Sequence, residues 1–179
     1  MWKKIIFILL IATSYTLICH KIYSTYKITN SEKIVTKLTE KNIMPIKKEQ
    51  PIGKLIIKKI NISEELYSIN SPKNNIEEHV TILKQSEEPA EKNSSIFIAA
   101  HSGTGKIAYF KDLDKLKIND LVILVYKNTT YTYIVKNIWE DKKDGTITIP
   151  KEQTNQLILT TCSPTKKDYQ LIVNCILLK

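Results

Sequence analysis

Hydrophobic and polar positions divide the chain into three regimes. Residues 5–19 are mostly apolar, and Ile22 lies just beyond them. Residues 24–50 are polar, with Thr-Glu-Lys-Asn and Lys-Lys-Glu-Gln runs. From Pro51 onward, short apolar runs alternate with turn-forming residues, the pattern of strands separated by loops. Leu55-Ile56-Ile57 and Ile60-Asn61-Ile62 form a β-branched run just after Gly53. Residues 94–100, Ser-Ser-Ile-Phe-Ile-Ala-Ala, form a short apolar strand that ends at His101. Residues 120–126 and 129–135, joined by Lys127-Asn128, predict a hairpin. Thr146-Ile147-Thr148-Ile149-Pro150 alternates and stops, 156–162 is a further strand, and 169–177 is the last. Helical stretches are few and short, at 75–83 and 108–116, with a partly helical segment near 31–42. Many short strands with little helix predict a mainly β domain closed as a barrel or sandwich.

The regimes set the domain plan: an N-terminal anchor at 1–23, a polar stalk at 24–50 and a β domain at 51–179. With Trp2 and Ile22 at its ends, the first apolar segment approaches the length of a bilayer-spanning helix. Lys3 and Lys4 precede it and favour a single-pass protein with a cytoplasmic N-terminus and the β domain outside. No small-x-small pattern follows the apolar run, so an uncleaved anchor in contact with membrane lipid is expected rather than a signal peptide.

Charge changes this picture little. The chain has 179 residues and a formal charge of +9, and it contains no arginine. The lysines are spread along the sequence and read as a solvated surface. The lack of arginine argues against nucleic acid as a partner, because arginine dominates specific base and phosphate contacts.

Candidate chemistry centres on Cys162. It ends an apolar strand and is followed by the polar loop Ser163-Pro164-Thr165-Lys166-Lys167-Asp168. Such a strand-end position suits an accessible thiolate. A disulfide with Cys175 is the alternative in an exported domain. If 163–169 is the loop of an antiparallel hairpin, Cys162 faces roughly Gln170. Cys175 then lies about 17 Å away and on the other face of the strand. A disulfide requires Cα atoms within about 7 Å. Cys162 is therefore expected as a free thiol and Cys175 as core. Of the three histidines, His20 abuts the anchor and His79 sits in a short amphipathic stretch. His101 ends a strand and opens the loop Ser102-Gly103-Thr104-Gly105, where functional residues are often found.

The order of histidine before cysteine excludes papain-type enzymes, and the caspase Gln-Ala-Cys signature and the His-Gly-Cys run of L,D-transpeptidases are absent. Leu159-Thr160-Thr161-Cys162 resembles the Leu-x-Thr-Cys signature of sortases, and Ile98-Ala99-Ala100-His101-Ser102-Gly103 resembles their strand-end histidine motif. Ile52-Gly53-Lys54-Leu55-Ile56-Ile57 and the N-terminal anchor are also similar to that family. The resemblance covers 51–179. It implies an eight-stranded closed β-barrel and a cysteine transpeptidase that uses no cofactor. Its partners would be secreted proteins with a C-terminal Leu-Pro-x-Thr-Gly-like sorting signal and an amine of peptidoglycan or a pilin.

By the same resemblance Cys162 is the nucleophile, His101 the acid and base, and Thr161 helps hold the substrate or the oxyanion. The family's last-strand arginine is missing, and Gln170 occupies the matching position. Its amide is the expected substitute donor, with Lys166 or Lys167 as possible sources of charge. A calcium site near Glu87, Glu88 and Glu91 is a weaker implication than a solvated acidic loop, and no metal-ligand spacing is visible. Without the arginine, a weak or silent domain that only binds sorting peptides stands as the alternative. A structural membrane-tethered β domain is a further one, which leaves the two motifs unexplained.

Overall fold

The computed structural model describes residues 2, 16–27, 49–89, 91–150, 152 and 154–178. The chain divides into two units, Met1–Lys48 and Glu49–Lys179. In the first, residues 16–27 are helical. Most of the expected 5–22 span and the 31–42 segment lie outside the described residues. Among those described, no helix is long and apolar enough to cross a membrane.

The second unit contains eight strands: β1 (Gly53–Ile57), β2 (Ile62–Leu66), β3 (Thr81–Ile82), β4 (Ser95–Ala99), β5 (Leu121–Tyr126), β6 (Thr129–Lys142), β7 (Gln156–Cys162) and β8 (Tyr169–Leu177). They form one sheet in the order β2-β1-β5-β6-β8-β7-β4-β3. No ladder joins β2 to β3 among the described residues. Yet Ile62 and Leu66 of β2 and Ile82 of β3 belong to the same buried cluster as Leu157, Leu159 and Val173. The sheet therefore curls into the expected barrel, nearly closed rather than sealed. Gly53 opens β1 because a Cβ there would collide with the Val125 carbonyl oxygen of β5.

The strand expectations hold for β4, β5, β7 and β8, and three other expectations are corrected. The apolar run 55–62 is broken by a 3-10 turn at Lys58–Ile60, with Asn61 in the left-handed region at φ 55°. The helices expected at 75–83 and 108–116 reduce to turns, the two-residue β3 and a 3-10 turn at Leu113–Lys115. Both stretches are too short to repay helix nucleation.

Residues 146–150 are not a strand. Their alternation has a different use: Ile147 and Ile149 pack on a second buried cluster of Phe97, Ile158 and Ile172. The backbone carbonyls of Thr146 and Pro150 accept side-chain hydrogen bonds from Gln170 and Gln156, and Pro150 has no N–H for a ladder. This second cluster explains why β7 is buried on both faces up to Thr161 and reads as a continuous apolar run.

β6 is twice as long as its hairpin required. A register shift between Val135 and Asn137 leaves Lys136 as a bulge, and the strand then runs on beside β8 to Lys142.

Candidate active site

β4 and β7 form the single parallel ladder among the described strands, with Ala99 level with Thr160. Each ends toward the same rim of the barrel. Two positions further along the same register, His101 comes level with Cys162. Alternation puts Ala99, His101, Thr160 and Cys162 on the face of Phe97 and Ile158, opposite the main core. The reactive side chains thus stand on the outside of the barrel wall, where a substrate chain can reach them.

β7 and β8 pair with Cys162 opposite Gln170, the register the hairpin length implies. Cys175 pairs with Leu157 on the inner face and is fully buried. Burial alone pushes its thiol well above the ordinary range. Cys162 and Cys175 are both free, and Cys162 is exposed.

A cleft of about 310 Å³ joins His101, Thr161, Cys162 and Gln170. Its walls include Leu83, Ala99, Ala100 and Ile147, and Lys143 and Thr146 close one side. All four residues singled out in the sequence therefore border one cavity. Their contacts differ from expectation in detail. The Thr161 hydroxyl is buried and donates to the Ala100 carbonyl oxygen at 2.7 Å, which ties the strand end of Cys162 to that of His101. The Gln170 amide nitrogen donates to the carbonyl oxygens of Thr146 at 2.8 Å and Lys142 at 3.3 Å, and Gln170 Oε1 accepts from the Thr160 hydroxyl at 3.5 Å.

The imidazole of His101 is one-third exposed, but its Nε2 atom is buried and has no hydrogen-bond partner. The Glu77 carboxylate stands 3.5 Å from it, an electrostatic neighbour rather than a bonded one. The backbone of His101 is fixed by the Phe110 N–H, which donates to its carbonyl at 2.9 Å.

Two residues at the site were not anticipated. Lys143 directs Nζ to Cys162 Sγ at 3.4 Å. Glu140 accepts hydrogen bonds from the hydroxyls of Ser163 and Thr165 and pairs with Lys166 at 3.2 Å. The Ser163 hydroxyl, then the Thr165 hydroxyl and the Lys166 ammonium, hold the Glu140 carboxyl below its usual range. Lys166, a suggested source of charge, is thereby occupied, and its Nζ also lies over the Tyr169 ring. Both new residues lie on or just beyond the extension of β6. The apolar pair Ile138-Trp139 and the turn dipeptide Asp144-Gly145 were the available signals. The acidic positions near 88 are partnered as well: Glu88 binds Lys127 and Tyr126, and Glu87 accepts from the Ser95 N–H. No metal-ligand cluster exists among the described residues.

A family model, the sortase domain, matches residues 55–177. The chain belongs to the sortase family. It is a cysteine transpeptidase of the sortase type, on the barrel described above. Sortase C1 from Streptococcus agalactiae is similar, with a TM-score of 0.63, 28% identity and coverage of 77% of this chain and 72% of that one. Sortase A from Corynebacterium diphtheriae superposes with a TM-score of 0.63 at 21% identity, over 74% of this chain and 62% of that one. Sortase C from Streptococcus pneumoniae gives 0.63 at 21% identity, over 72% and 69%. No curated protein sequence matches the chain.

Proposed function

We propose that this sortase is held in the cell membrane through residues 5–22, with the catalytic domain outside. There it cleaves a Leu-Pro-x-Thr-Gly-like sorting signal and joins the new carboxyl to an amine of peptidoglycan or a pilin. The observation that carries the reading is the meeting of His101 and Cys162 at adjacent ends of the parallel β4–β7 ladder, on one cleft. The Cys162 thiolate attacks the Thr–Gly carbonyl carbon and an S–C bond forms. As the tetrahedral intermediate collapses, the C–N bond breaks and protonated His101 gives its proton to the leaving glycine amine. The acceptor amine then attacks the thioester and returns a proton to His101. The C–S bond breaks and the thiolate is regenerated, so the cycle needs no oxidant or cofactor. The apolar walls at Leu83, Ala99 and Ile147 suit the leucine and proline of such a signal. Lys3 and Lys4 before the apolar segment support the orientation.

The full chain, incubated with a library of fluorescent sorting peptides, is expected to form a thioacyl adduct on the Cys162 peptide, detected by its mass. Added pentaglycine-type or pilin-derived amines should discharge it, and Cys162→Ala should form none. Absence of any adduct across the library, with Cys162 still alkylatable, would leave only a peptide-binding role.

A further inference from the structure

A chain without arginine nevertheless places a cation at its reactive sulfur. We propose that Lys143 is the catalytic cation of this site, stabilising first the Cys162 thiolate and then the oxyanion, and that Gln170 is the positioning residue that sets it there. The inference rests on the transpeptidase reading for its second half only. The contact between Lys143 Nζ and Cys162 Sγ is 3.4 Å. An ammonium at that range can donate to the sulfur and balance the negative charge it carries during attack. None of the ion pairs among the described residues involves Lys143. Its charge is therefore not spent on a carboxylate, unlike that of Lys166.

The backbone around Lys143 is tied down from three sides. Its N–H donates to the Asp168 carbonyl at 2.9 Å, which continues the β6–β8 ladder into the loop that follows Cys162. Gln170 holds the carbonyls on either side of it, those of Lys142 and Thr146. Asp144 Oδ1 accepts from both the Thr146 N–H and its hydroxyl, and Gly145 supplies the left-handed turn at φ 90°. Both hydrogens of the Gln170 amide are thus committed to the loop, leaving none for an oxyanion. The glutamine opposite the cysteine acts by fastening the segment that carries the lysine. An ammonium on a flexible stem has three donors and no fixed fork. It can follow the negative charge from sulfur to the oxygen on the attacked carbon, one bond beyond.

The test uses the full chain carrying Cys19→Ser, so that Cys162 is the only exposed thiol. Iodoacetamide alkylation at pH 7, read from the mass of the Cys162 peptide, is expected to slow about tenfold in Lys143→Met, as loss of a neighbouring opposite charge implies. Lys143→Arg is expected to stay within about threefold of the parent, since the charge is kept. With sorting peptide, Lys143→Met is expected to lower kcat about 100-fold, as loss of an oxyanion donor does, with KM within about threefold. Gln170→Ala should lower kcat roughly tenfold alone and have no further effect in the Lys143→Met background, the non-additivity of residues that act as one unit.

Unchanged alkylation and kcat in Lys143→Met would overturn the proposal. A full additional loss from Gln170→Ala in that background would overturn the positioning role and make Gln170 a direct donor. If the parent turns over no sorting peptide, the transpeptidase reading fails, and the alkylation ratio alone still decides whether Lys143 activates the thiol.

Discussion

The two strand ends that meet at the cleft are secured in opposite ways. Beyond Cys162, the chain is fastened at nearly every step. Ser163 N–H donates to Tyr169, the Ser163 hydroxyl accepts from the N–H groups of Thr165 and Lys166, and Glu140 gathers Ser163, Thr165 and Lys166. Beyond His101 the chain enters turns around Gly103, at φ 101°, and the imidazole Nε2 has no bonded partner. The Cys162 side of the cleft is held by a hydrogen-bond network, whereas no hydrogen bond holds His101 Nε2. That division suits the chemistry. The sulfur makes and breaks one bond at one place, which rewards fixed geometry. In the proposed reaction the histidine serves two amines, the leaving one and the entering one.

Three changes would break or sharpen this contrast. The largest effect is expected from His101→Ala, which should lower kcat for peptide cleavage by about 10²–10⁴, the usual scale of general acid–base catalysis. Alkylation of Cys162 by iodoacetamide, which needs no proton delivered to a leaving amine, should fall far less. Equal losses in both assays would mean that the histidine mainly serves the thiolate.

The intermediate effect belongs to the fastened side. Glu140→Gln should lower kcat roughly tenfold by loosening the loop beside the nucleophile, since small misplacements cost heavily in rate. The wild-type tie also has a predictable pH range. The folded Glu140 carboxyl is held below its ordinary value, chiefly by the Ser163 hydroxyl. Its stabilisation is therefore complete above the unfolded carboxylate pKa of about 4.3 and is lost as pH falls through the depressed folded value. In an NMR titration, the Thr165 and Lys166 amide signals should hold their positions from neutral pH down to that range and move only below it. Movement between pH 7 and 5 would contradict the assignment.

The smallest effect is expected from Glu77→Gln. This carboxylate is 70% exposed and 3.5 Å from the imidazole, and exposed ion pairs contribute little. kcat should change by no more than about threefold. A larger loss in steady-state assays would show that the free-looking histidine is oriented after all.

Legibility in the sequence follows the same division. The β7–β8 hairpin could be read with its register because a short loop between two apolar strands allows little choice. That register gave Cys162 opposite Gln170 and removed the disulfide. His101 was legible as a strand end that opens a loop, but its place beside Cys162 came only through the family resemblance, since a parallel pairing leaves no local turn signal. Lys143 and Glu140 could not be read because the bulge at Lys136 hides the continuation of β6. Their partners come from 19 and 23 residues further along the chain. The segment 146–150 misled for a related reason: alternation reports which side chains are buried, and a loop lying across a sheet can share it with a strand.

The parallel seam between β4 and β7 also has a consequence for folding. The hydrogen bond that crosses it from Thr161 to Ala100 joins positions 61 residues apart, among the least local contacts the barrel makes. Contacts of this kind require the entropy of a long closed loop and tend to form slowly. Before the seam closes, the chain holds a cysteine and a histidine but no reactive pair. Any chemistry that needs both groups therefore waits until the barrel is assembled around them.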